Sequence, residues 1–318
     1  MSRQPLRATA EPLAVRCAAQ SLERSEPLSG TASRVQRWLL VEQPGSWGRD
    51  ALTESGLDSI VADRLGAAAR RAGVRVVLIR RPRRGPGASG GADASDTRQI
   101  FFAHSSVQGA WVEHLELPAE ELDLLADQDL TSLAQPRPPG LGAPGPESVH
   151  LVCVNGRHDP CCADLGRPVV RALVAAEVPE VWECSHIGGD RFAANVVCLP
   201  EGIYYGRVAP EVAAAVIGDH RAGLIDLDHY RGRSCYPPVV QAAEAFAREH
   251  LGERRLAAAS VLDVRTVGEI TEVDVSAQGA PVIQITVERI AGEPQQLTCR
   301  AEESGEPWRY VLRGVRSG

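Results

Sequence analysis

An α/β architecture that ends in an antiparallel β meander is what the sequence predicts, and three observations predict it. Short apolar runs alternate with segments whose apolar groups recur at helical spacing. That order occurs twice, on either side of a Pro/Gly-rich stretch. Beyond Pro237, after one more helical segment, the chain changes to short alternating runs between Gly, Pro and Asp turns.

In the first half, RWLLVEQ (37–43) suits a buried strand. DALTESGLDSIVADRLGAAARRAG (50–73) carries apolar groups at helical spacing and closes on a glycine in C-cap position. VRVVLIR (74–80), RQIFFAH (98–104) and WVEHLEL (111–117) read as strands. RRPRRGPGASGGADASD (80–96) has too few apolar groups to pack and reads as a long loop. AQPRPPGLGAPGPE (134–147), with five prolines and three glycines, reads as an interdomain linker. The order then recurs: strand VHLVCVN (149–155), helix GRPVVRALVAAE (166–177), strand EVWECSH (180–186), a hairpin in 191–208 broken at Pro200–Gly202, and helix 210–223. The halves share this coarse pattern but no residue-level repeat. Finally, PPVVQAAEAFAREHLG opens with prolines, which favour a helix start. SVLDVRTV, TEVDVSA, PVIQITVERI, QQLTCRA and WRYVLRGV form the meander, in which no residue looks chemical. The expected division is therefore an N-terminal α/β domain at 1–133, a linker at 134–147, a further α/β domain at 148–236, and a C-terminal helix and meander at 237–318.

The 318 residues carry a net charge of −7, and every basic residue is Arg. An acidic balance argues against nucleic acid, whose binders present a basic face. The opening residues lack the apolar core of a signal peptide, and no apolar run approaches a membrane span. A cytoplasmic protein without a membrane or nucleic-acid partner is the expectation. In that compartment eight cysteines are not expected to form disulfides, and a cluster of them points to metal or redox chemistry.

Such a cluster exists. CVNGRHDPCC (153–162) is followed by SHIGGD (185–190). Cys153 sits near a strand end, and Cys161 and Cys162 at a helix start, where the dipole favours a thiolate. His186 closes the next strand, and Gly188–Gly189 allow a tight turn before Asp190. These groups can converge, so metal ligation, thiol chemistry and plain core packing all stand open. The spacing of Cys153 and Cys162 matches neither a CxxC zinc pair nor a thioredoxin CxxC. Cys161 and Cys162 diverge as chain neighbours, so one of them is a bystander. Cys17, Cys184, Cys198 and Cys299 read as small core residues, and His104, His114, His220 and His250 as hydrogen-bonded structural residues.

CVNGRHDPCCADLGRPVV together with WECSHIGGDRFAANVVCLPEGIYYGRV resembles the sucrase/ferredoxin-like family, and PLSGTASRVQRWLLVEQPGSWG resembles the family's opening more loosely. The resemblance implies a thioredoxin-like ferredoxin domain at 148–236, preceded by the second α/β half, and a [2Fe–2S] cluster. Carried over, Cys153 and Cys162 would bind one iron and His186 the other. Where the family's pattern has a second His, this chain has Asp190. Asp190 is the expected fourth ligand, with Cys161, Cys184, His158 or solvent as competitors. Imidazole ligation would raise the potential above the about −400 mV of all-Cys clusters, with a dependence on pH. Arg157, His158, Asp159 and Arg191 are expected around the cluster, and Asn195, Tyr205 and Arg207 to shape the hairpin beside it. HYRGRSCYPP (229–238) is expected to contact this domain or a partner.

The function implied is one-electron transfer with a redox partner protein, a reductase or oxidoreductase. With no GxGxxG for NAD(P)H or FAD, the chain reads as an electron carrier more than a stand-alone enzyme. The alternatives are a thiol enzyme using Cys161 or Cys162, and a structural zinc site at Cys153, Cys162, His186 and Asp190. Sucrose hydrolysis would need a carboxylate pair, which no stretch indicates.

Overall fold

The computed structural model describes residues 16–82 and 96–317; most of the loop expected at 80–96, and the chain before Arg16, lie outside these. The elements run α1 (Cys17–Glu23), β1 (Arg37–Glu42), α2 (Ser59–Ala72), β2 (Arg75–Arg80), β3 (Thr97–His104), β4 (Trp111–Pro118), β5 (Ala143–Pro144), β6 (Val149–Cys153), α3 (Pro160–Ala175), β7 (Val181–Cys184), β8 (Val196–Leu199), β9 (Ile203–Tyr205), α4 (Pro210–Arg221), β10 (Tyr230–Arg233), α5 (Pro238–Leu251) and β11 to β14 (Ala259–Val267, Ile270–Ala277, Ile283–Ala291, Trp308–Ser317).

Local chemistry sets several boundaries. α2 begins at Ser59, later than its apolar spacing predicts, because the Asp58 carboxylate caps the N–H groups of Ile60 and Val61. It ends where Gly73 adopts the left-handed conformation. α3 begins six residues earlier than expected, at Pro160, because Asp159 caps the N–H of Cys161 and proline suits the first helical position. QQLTCRA is not a strand. It lies in the irregular connection 292–307, which is joined to itself by an isolated bridge between Gln295 and Gly305.

One ten-stranded sheet runs β10-β9-β8-β6-β7-β2-β1-β3-β4-β5. Within it β1 and β2 are parallel, joined through α2, and β6 and β7 are parallel, joined through α3. The hairpin β3–β4 lies beside β1 and the hairpin β8–β9 beside β6, all antiparallel. The shared coarse pattern is thus a repeated β-α-β unit followed by a hairpin, with the two units meeting antiparallel along β2 and β7. The stretch expected as a linker leaves the sheet undivided, and its Ala143–Pro144 pairs with β4.

Alternate residues of each strand pack on opposite faces, as the two-residue period requires. Leu39, Val41, Phe102 and Val152 face the helices α2, α3 and α4, whereas Trp38, Leu40, Phe101, Cys153 and Trp182 pack on the other side. The C-terminal sheet, β11-β12-β13-β14, lays Val273, Val275, Ile283 and Ile285 against Ala243 and Ala247 of α5. Among the described residues no helix is long and apolar enough to cross a membrane.

Candidate metal centre

β6 delivers Cys153 at its end, where its N–H donates to Asn195 O at 3.1 Å. The following loop is closed on itself, since Asn155 O accepts the N–H groups of His158 and Asp159. Asp159 then starts α3, and Cys161 and Cys162 fall in its first turn, roughly 100° apart around the axis. Gly166 brings this helix onto β6, for a Cβ there would stand 2.1 Å from Cys153 O. On the adjacent strand β7 ends at Cys184, and Gly188 and Gly189, with φ of 100° and 82°, turn the chain back to place Asp190.

Cys153, Cys162 and His186 meet: their ligand atoms all lie within 4.8 Å of one another. His158, His186 and Asp190 satisfy the same condition. Asp190 Oδ1 accepts from Cys162 Sγ at 3.1 Å and makes a charge contact with His186 Nδ1 at 2.9 Å. Its Oδ2 lies 3.8 Å from His158 Nε2. The His158 and His186 rings stack with centroids 3.6 Å apart. His158, expected beside the cluster and as a competing ligand, belongs to the constellation. Cys184 stands in register beside Cys153, yet is outside both groups. Cys161 points elsewhere, toward Cys17, Cys299 and Asp159.

The electrostatics are those of a charged pocket. The Cys162 side chain against it lowers the Cys153 pKa well below the usual thiol range despite burial, and His186 adds to this. Cys162 moves the opposite way, raised by its bond to Cys153 and by burial. Burial opposes the imidazolium of His186, but the neighbouring Asp190 carboxylate and Cys153 sulfur raise its pKa to about 9. Two thiols, an imidazole and a carboxylate form a donor set suited to a thiophilic metal. The His186 Nδ1 is buried without a well-aligned hydrogen bond, its close partner being the Asp190 carboxylate at 2.9 Å.

A cleft of about 450 Å³ opens on the histidine side, bordered by Arg49, Glu54, Arg75, Asn155, His158 and His186. The first half walls it, since Asn155 Nδ2 donates to Gly48 O and His158 Nδ1 meets Arg49 O at 3.2 Å.

The surrounding residues divide. Arg157 is exposed, and Arg191 turns from the sulfurs to hold Glu26 at 2.9 Å. Asn195 Nδ2 donates to Gly189 O. Tyr205 and Arg207 bond away from the site, to His220 and Ser21. The stretch 229–238 does contact this domain through Arg231, a buried guanidinium that donates to Gly188 O, Asn195 Oδ1 and Thr31. Sequence reasoning missed Cys17 and Cys299, which do not sit among core hydrophobes alone but face Cys161 and Asp159. Only their residue type could have flagged them.

Comparison with known proteins agrees with the motif. No curated protein matches the chain. Two solved structures are similar to part of it, both cysteine-to-serine variants of the thioredoxin-like [2Fe–2S] ferredoxin from Aquifex aeolicus. They are 21% and 19% identical, with TM-scores of 0.25 and 0.24. Each match covers 27% of this chain and 99% of the ferredoxin. The family description that fits is Sucrase/ferredoxin-like, matched over residues 28–232. That span is more than half of the chain and includes Cys153, Cys162, His186 and Asp190, so the protein belongs to the sucrase/ferredoxin-like family.

Proposed function

We propose that this protein is an electron carrier in which Cys153 and Cys162 hold one iron of a [2Fe–2S] cluster, and His186 and Asp190 the other. The observation that carries the reading is the meeting of two buried thiols and an imidazole within 4.8 Å. When bound, a cluster of this kind accepts and releases one electron at a time. The chain's own residues do the rest. The turn at Gly188–Gly189, anchored by Arg231, positions His186 and Asp190 as a pair. His158 faces the second carboxylate oxygen and orients it. Both cysteines are buried whereas His186 borders the cleft, so the imidazole side is where a bound cluster would exchange electrons. A reductase or oxidoreductase protein would dock there, over Arg49 and Arg75. A thiol enzyme is less well supported, because Cys161 and Cys162 are only 2% and 1% exposed and no substrate reaches them.

Protein isolated without air is expected to be reddish-brown, with iron and acid-labile sulfide each at about two per chain, and to give an EPR signal on reduction with dithionite. Zinc in place of iron, with no sulfide, would make this a structural metal site instead. Asp190→Ala is expected to alter both visible spectrum and potential; if neither moved, Asp190 would leave the ligand set. His186→Cys should lower the potential toward the about −400 mV of all-cysteine clusters.

A further inference from the structure

We infer that the chain holds a second metal site, in which Cys17, Cys161, Cys299 and Asp159 bind a single zinc ion. The three sulfurs form a nearly equilateral triangle with sides of 3.7, 3.4 and 3.5 Å. Tetrahedral zinc with bonds of ~2.3 Å to sulfur requires edges of roughly 3.8 Å. A disulfide would bring two sulfurs to ~2.05 Å and leave the third without a partner, whereas all three converge on one point. Asp159 supplies the fourth corner, its carboxylate oxygens lying 3.8 and 3.9 Å from Cys17 Sγ.

The surroundings are arranged for anionic ligands. Asp159 Oδ1 accepts the N–H of Cys161 at 2.8 Å, and Oδ2 that of Cys299 at 2.6 Å. Each oxygen keeps a lone pair for a metal. The N–H of Cys17 donates to Cys299 Sγ at 3.4 Å. Backbone N–H groups that bond ligating atoms in this way orient them and stabilise their charge. Three thiolates and a carboxylate brought this close, three of the four buried, would repel one another strongly without a cation. Asp159 and Cys17 are wholly buried, Cys161 nearly so, and Cys299 partly. Four protein ligands leave no open coordination position, as in structural zinc sites.

A second observation is independent of the thiols. The connection 292–307 leaves the C-terminal sheet, exceeds the ~12–15 residues beyond which structureless loops become uncommon, and ends its excursion at Cys299. It is pinned there by Arg24, whose guanidinium donates to Gln295 Oε1 at 2.7 Å. A metal at this point ties the N-terminal helix, the start of α3 and the C-terminal connection into one joint. Cys161 serves this ion from one side of α3 while Cys162 faces the candidate cluster from the other.

The inference does not rest on the iron–sulfur reading, and metal analysis separates the two. Wild-type protein grown with ample zinc is expected to carry one zinc per chain in addition to iron. Cys17→Ser and Cys299→Ser should lose the zinc and keep iron and sulfide. Cys153→Ser should do the reverse, and Cys235→Ser should lose neither. Cobalt incorporated during growth should show thiolate charge-transfer and tetrahedral ligand-field bands that Cys299→Ser lacks. Wild type without zinc, a disulfide among these three cysteines in freshly isolated protein, or zinc retained by both serine variants would overturn the site; the wild-type measurements decide even where a variant fails to fold.

Discussion

Gly189 decides how His186 and Asp190 are presented. Its φ of 82° lies in the left-handed region, and a Cβ there would stand 2.2 Å from Arg231 Nη2 and 2.7 Å from its Cζ. Arg231 cannot step aside, because it is buried and its guanidinium already serves Gly188 O, Asn195 Oδ1 and Thr31. Gly188 presents a contrast. Its Cβ would meet only Ser33, a half-buried side chain that can rotate by giving up its hydrogen bond to Ile187 O. Gly189→Ala is expected to cost about 2–4 kcal/mol, from left-handed backbone and overpacking together, and Gly188→Ala about 1–2 kcal/mol. Urea unfolding of both variants checks the order; equal losses would mean that Arg231 relaxes. The resemblance over 153–162 and 185–190 made four residues of the candidate centre legible, because that motif is local in sequence. Cys17 and Cys299 were not legible. They stand 282 positions apart, and no periodicity carries information across that distance. His158 was visible as a neighbour and competing ligand but not as a ring stacked on His186, since that contact depends on the fold of the loop between.

Element by element, most strands and helices followed from apolar spacing, although QQLTCRA formed no strand and α1 and β10 were not foreseen. The helix starts that moved did so because of single side chains. Asp159 with Pro160 started α3 early, and Asp58 started α2 late, each by capping N–H groups. The pairing of β2 with β7 had no signal at all, because both strands are apolar on each face and register between distant segments is set by tertiary packing. That joint is short, with only Ile79 against Cys184 and Arg80 against Glu183. Ser185 extends it: its N–H donates to Leu78 O at 2.8 Å, and its hydroxyl accepts the N–H of Leu78 at 3.0 Å. Ser185→Ala would leave the buried Leu78 N–H without an acceptor, which costs about 1–3 kcal/mol. The expected outcome is a lower urea midpoint together with faster hydrogen exchange at the Leu78 amide. Unchanged exchange there would mean that the two units are held by their side-chain packing alone.

Across the whole molecule, the repeated β-α-β-plus-hairpin unit places the candidate centre at the end of β6 and the wall of its cleft on the other unit, so the site depends on the joined sheet. The same sheet buries a titratable group that the proposed function does not use. His150, on β6, is wholly buried, with Nδ1 3.4 Å from Cys198 Sγ and Nε2 3.2 Å from Ser148 Oγ. Burial, with smaller contributions from His220 and Arg221, pushes its pKa down to about 3. In the unfolded chain an imidazole titrates near 6.5. Between those values the unfolded chain binds a proton that the fold refuses, so stability falls as pH falls. The contribution is complete above about pH 6.5, weakens by ~1.4 kcal/mol per unit below it, and is exhausted near pH 3. His150→Gln removes the basic nitrogen and retains a polar partner for Ser148. The variant should be the less stable of the two at neutral pH, and the difference should shrink by about 2 kcal/mol on going to about pH 5. Urea titrations of wild type and variant at both pH values read this directly, because acid effects on every other group cancel in the comparison. A difference that stays constant with pH would require the fold to admit the proton, through water reaching β6, and would remove His150 as a source of acid sensitivity.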